Sequence, residues 1–122
     1  MLSKIPRRRI ILASLVVLAV STLAPHRTRA QAPRVINITA QRFEFSPNQI
    51  TLKKGEPVKL LLTSADVTHG FFLKPLKIDE IIVPGKTTEV NLTPQTAGTY
   101  LLICDHFCGV NHAAMNMKVI VE

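Results

Sequence analysis

From residue 34 onward, hydrophobic and polar residues alternate in short runs broken by turn-forming residues. Val35 to Ala40 runs Val-Ile-Asn-Ile-Thr-Ala, and Phe43 and Phe45 keep the same period of two. That period places alternate side chains on opposite faces of a strand. Further strands are predicted at Ile50 to Lys53, Val58 to Thr63, Gly70 to Leu73, Ile78 to Val83, Thr87 to Leu92, Thr99 to Ile103 and Met117 to Val121. Ser46-Pro47-Asn48, Lys54 to Pro57, Pro84-Gly85 and Thr93-Pro94 to Gly98 carry the turn chemistry between them. No helical period of ten or more residues occurs in this stretch. Seven or eight short strands at such spacing predict an all-β domain, an antiparallel sandwich or barrel.

The first thirty residues differ. Ile10 to Ala24 is an apolar run of fifteen residues relieved only by Ser and Thr, behind the basic cluster Lys4 to Arg9. It suits the apolar core of a signal peptide and falls short of the roughly 20 residues that cross a bilayer. Thr28-Arg29-Ala30 before Gln31 is a small-x-Ala cleavage site. The expected organisation is a signal peptide or uncleaved anchor over residues 1–30, forming an N-terminal helix, and one domain over residues 31–122. A periplasmic or otherwise extracytoplasmic location follows, with membrane association through the N-terminal segment if it is retained.

Charge then changes meaning. The net charge is +7, but six of the fifteen basic residues and none of the eight acidic ones precede residue 31. The remainder is close to neutral, with one Tyr and no Trp. It has neither the basic stripe nor the stacking platform of a nucleic-acid binder, so no nucleic-acid partner is expected.

The chemistry is concentrated in Cys104-Asp105-His106-Phe107-Cys108-Gly109-Val110-Asn111-His112-Ala113-Ala114-Met115. Two thiols, an imidazole and a thioether fall within twelve positions between two predicted strands. Thiolate and thioether ligands select copper, and imidazole suits it equally. His69, at a strand start, is the candidate for a further donor, and Gly70 after it permits close backbone approach. Other readings use the same residues. Two cysteines in an exported protein form a disulfide by default. Cys104, Cys108, His112 and His69 could hold structural zinc, leaving Met115 as core. A mononuclear blue-copper site needs one Cys, two His and Met, and leaves Cys104 without a role. Phe71, Phe72 and Phe107 are expected to pack around the site and shield it from water. The His106 side chain is expected to face solvent or lie behind the ligands, and Met117 to be core or exposed.

The Cys-x-x-x-Cys-x-x-x-His-x-x-Met spacing, with Asp66-Val67-x-His69 upstream, resembles the CuA site of cytochrome c oxidase subunit II and nitrous oxide reductase. The similarity extends through Val83-Pro84-Gly85 and Ala97-Gly98-Thr99-Tyr100 to essentially the whole of residues 31–122. It implies a cupredoxin-like Greek-key β-sandwich holding two copper ions. By this resemblance Cys104 and Cys108 bridge the metals, and His69 and His112 each terminate one. Met115 and the backbone carbonyl of His106 are weak axial donors. The implied function is electron transfer, with a c-type cytochrome or other redox protein as partner and haem–copper oxidase subunits as the wider assembly.

Departures from the family qualify that expectation. His106 stands where oxidase subunit II usually carries Glu, and the Trp through which cytochrome c is thought to pass its electron has no counterpart. The subunit's two transmembrane helices and the reductase's catalytic domain are likewise unmatched in these residues. The chain is therefore not expected to be catalytic alone, although it fits an electron-transfer component of an oxidase. The alternative is a periplasmic copper chaperone or buffer for oxidase assembly.

Overall fold

The computed structural model describes residues 24–25 and 32–122. The expected signal segment thus lies, apart from residues 24 and 25, outside the described residues. Alternation in the sequence becomes nine strands: β1 (Arg34–Gln41), β2 (Glu44–Ser46), β3 (Gln49–Leu52), β4 (Val58–Ser64), β5 (His69–Leu73), β6 (Ile78–Ile82), β7 (Thr88–Leu92), β8 (Gly98–Ile103) and β9 (Asn116–Val121). Single 3₁₀ turns occupy Lys74–Leu76 and His112–Ala114. Among the described residues no helix is long and apolar enough to cross a membrane.

The strands form two sheets, ordered β2-β1-β4-β7 and β3-β9-β8-β5-β6. The count exceeds the expected seven or eight because the three-residue β2 stands as a strand of its own, paired back on β1. Ser46, Pro47 and Asn48 then carry the chain across to the second sheet, where β3 begins. The pairing is also not wholly antiparallel as expected. β1 lies parallel to β4, from Arg34 opposite Val58 to Ala40 opposite Ser64, and β3 lies parallel to β9. Parallel neighbours require a crossover connection. Here the chain supplies it by passing through β3 on the opposite sheet before returning as β4.

The inward faces meet in one core. Ile38 and Ala40 of β1, Val58, Leu60 and Leu62 of β4, and Met117, Val119 and Val121 of β9 are buried at every second position. Phe45 of β2 and Phe71 of β5 join the sheets edge to face, their ring centroids 5.6 Å apart. Phe71 lies two residues beyond His69, so this contact also fixes the strand that presents the histidine.

Candidate metal centre

Three segments converge at one end of the sandwich. β5 begins at His69, whose side chain is 0% exposed. The connection from β4 supplies Asp66, and the loop from β8 to β9 supplies Cys104 to Met115. That loop is closed at its base by the Cys104 N–H donating to Met115 O at 3.1 Å. Within it, His112 N–H donates to Gly109 O at 3.2 Å and Met115 N–H to His112 O at 3.1 Å, making the tight turn that returns Met115 to the core.

The sulfur atoms lie together at the centre. Cys104 and Cys108 are both buried and free, with their Sγ atoms 3.6 Å apart. A disulfide would bring them to about 2.05 Å. Cys108 Sγ is 3.8 Å from Met115 Sδ and 3.8 Å from His112 Nδ1. Cys104 Sγ is 3.2 Å from the backbone carbonyl of His106, and the Gly70 N–H donates to it at 3.3 Å. A ring nitrogen of His69 and the two Sγ atoms all lie within 4.8 Å of one another. The candidate ligands His69, Cys104, the His106 carbonyl, Cys108, His112 and Met115 therefore converge here. His112 is the outlying one, half-buried and facing the surface.

The orientation of His69 is set by Asp66, whose Oδ1 is 2.7 Å from His69 Nε2. Partial burial alone would raise the Asp66 pKa. The N–H groups of Arg42 and Val67 and the His69 ring outweigh it and hold the carboxyl at about 2. His69 Nδ1 is then left buried with no hydrogen-bond partner, alone in this respect among the described residues. A buried polar atom without a partner is costly, and such atoms call for an explanation. A metal ion supplies one. The remaining donors are two thiols, a thioether, a carbonyl and an imidazole, a soft set that fits copper. Burial, with the neighbouring Cys104 thiol second, pushes the Cys108 thiol up to about 11. Metal entry must therefore displace its proton.

Other expectations fare differently. The His106 side chain is exposed, as expected, and Met117 is buried core. Phe71 is buried, but Phe107 does not shield the site: it is 74% exposed on the outer side of the loop, its ring tilted at 54° to that of His112 with centroids 6.0 Å apart. One contributor went unnoticed in the sequence. Arg42, in the β1–β2 turn, donates from its backbone N–H to Asp66 Oδ2 at 2.7 Å and from Nε to Cys108 O at 2.8 Å. The second contact spans 66 residues, and no local pattern marks a turn arginine for it.

With this geometry in place, comparison with known proteins is specific. Residues 10–121 match the family model described as a cupredoxin-like domain. Probable cytochrome c oxidase subunit 2 of Streptomyces avermitilis is 41% identical over 71 residues, covering 57% of this chain and 22% of the relative. Nitrous-oxide reductase of Cupriavidus necator is 35% identical over 91 residues, covering 71% of this chain and 14% of the enzyme. A solved heme-copper terminal oxidase dimer contains a chain that superimposes with a TM-score of 0.67 at 28% identity, over 73% of this chain and 65% of that one. The chain thus spans less than two thirds of each of these proteins. A two-sheet sandwich with a donor-rich loop between its last two strands, matched over nearly all of its described length, makes this chain a member of the cupredoxin-like domain family, resembling the CuA domain of oxidase subunit 2 and nitrous-oxide reductase.

Proposed function

We propose that this protein is a copper-binding electron-transfer protein in which Cys104 and Cys108 bridge a dinuclear centre. The single observation that carries the reading is the pair of buried free thiols within 4.8 Å of a ring nitrogen of His69, a histidine whose Nδ1 has no hydrogen-bond partner. His69, His112, Met115 and the His106 carbonyl would complete the set of residues that hold the metal. A two-copper centre held by these residues would supply a one-electron change. The chain's own part is rigidity. Asp66 fixes the tautomer and orientation of His69, the Gly70 N–H holds Cys104 Sγ, and the β8–β9 ladder fixes both ends of the loop. Such fixed ligands lower the reorganisation that would otherwise slow electron transfer.

The partner is a c-type cytochrome or another redox protein, within or beside a haem–copper oxidase. Phe107 and Val110, 74% and 95% exposed on the ligand loop, offer an apolar face for it to meet. An extracytoplasmic location is supported by the basic and apolar N-terminal sequence. Neither relative reported above supports the copper-delivery alternative. The test is reconstitution with copper under mildly reducing conditions, followed by metal analysis, visible and electron paramagnetic resonance spectra. Two coppers per chain, a purple colour and a seven-line hyperfine pattern are expected. One copper with four lines, or colourless tight binding of zinc, would sink the reading.

A further inference from the structure

We infer that Arg42 is a positioning residue of the metal centre, its turn clamping the middle of the ligand loop to the segment that carries His69. The inference rests on the copper reading above and adds to it a residue outside the ligand set. A twelve-residue loop needs more than anchored ends if its middle is to stay in place. Cys104 is tied to Met115 at the base, and the internal turn begins only at Gly109. Cys108 lies between these ties. Cys108 is itself buried, but Phe107 before it and Val110 two residues on point outward, with 74% and 95% of their surface exposed.

Contacts from the β1–β2 turn supply the missing constraint. Arg42 Nε–H donates to the Cys108 carbonyl at 2.8 Å. Phe43 packs under the next residue so closely that a Cβ on Gly109, which has φ of +145°, would lie 2.8 Å from the Phe43 ring. The same Arg42 donates its backbone N–H to Asp66 Oδ2 at 2.7 Å, and Asp66 Oδ1 holds His69 Nε2 at 2.7 Å. One turn therefore links His69 and Cys108, which otherwise belong to separate segments. None of these contacts uses Cys108 Sγ or His69 Nδ1, so the link can arrange the donors whether or not an ion is bound. Groups that orient metal ligands in this way typically change affinity about 10–100-fold when removed.

Arg42→Gln removes the guanidinium contact and leaves the backbone bond to Asp66 in place, so it isolates this arm of the clamp. Two measurements on the purified protein decide the matter. In the metal-free protein, amide hydrogen exchange at His112, Ala114 and Met115, whose N–H groups donate to Gly109 O, Asn111 O and His112 O, is expected to accelerate about 10-fold or more in Arg42→Gln. In competition with a Cu(I) chelator, the variant is expected to bind Cu(I) about 10-fold more weakly, with Arg42→Lys recovering part of the loss. The urea midpoint is expected to stay near that of the wild type, since Arg42 is exposed. Unchanged exchange together with unchanged Cu(I) affinity overturns the inference. If the wild type fails to form a two-copper centre, the copper reading fails, while the exchange measurement still decides whether the clamp exists.

Discussion

At the residue scale, the site depends on one histidine buried with half of its ring unsatisfied and one glycine beside it. His69 Nδ1 without a partner costs about 1–3 kcal/mol in the metal-free protein. Nothing in a lone histidine within an apolar strand reveals that. Asp66-Val67-x-His69 was legible as a motif, whereas the orphaned nitrogen needed three dimensions. Gly70 was legible in part, as a place of close approach, but what approaches it was not. A Cβ at this position would lie 2.1 Å from Asp105 Oδ1, 2.7 Å from His106 N and 2.8 Å from Asp105 N. The carboxylate can swing away; the two backbone nitrogens cannot move without carrying the loop with them. Gly70→Ala is therefore expected to shift Cys104 off the Gly70 N–H and to destabilise the fold by about 1–3 kcal/mol, as overpacking does. A urea titration together with copper content checks this. Wild-type stability with a full copper complement would show that the loop tolerates the displacement.

At the scale of elements, alternation placed the strand faces well and their partners poorly. β1, β4, β8 and β9 lie within about one residue of their sequence-based bounds, because a period of two against one core is unambiguous. The parallel pairs escaped, since periodicity states which side chains are inside and not which strand lies alongside. β2 is a special case: only Phe45 among its three residues is buried, while Phe43 sits in the turn and packs on Gly109 rather than continuing the strand. The two phenylalanines share a period in the sequence and do different work in the fold. Phe45 joins β2 to β5 through Phe71. Phe45→Ala would empty a fully buried ring site at a cost of about 3–5 kcal/mol. Because the lost contact is to the strand that begins at His69, weaker metal binding should accompany the lowered urea midpoint. A variant whose midpoint falls while Cu(I) affinity is unchanged would separate β5 placement from the Phe45 contact.

At the scale of the whole molecule, the metal donors are a small part of the core gathered at one end of the sandwich, and that share decides how folding and binding are linked. The large buried side chains, Ile38, Leu52, Leu60, Leu62, Phe71 and Leu102 among them, come from both sheets and meet without help from a metal. Only Cys104, Cys108, Met115 and His69 are shared between core and site. A small domain whose ligands were its core would unfold on losing its metal, as zinc fingers do. This one should not. Chelating the copper is expected to leave the far-ultraviolet circular dichroism of a β-sandwich intact. The thermal midpoint should fall nonetheless, because an ion that binds only the native state adds about 4 kcal/mol at 1,000 times its dissociation constant. With about 4–8 °C per kcal/mol for a domain of this size, the loss is roughly 15–30 °C under those conditions. Calorimetry of the copper-loaded and chelated forms measures it. Loss of the β signal on chelation at room temperature would mean that the loop holds the sheets together, and that the pre-arranged donors described here exist only once the metal is bound.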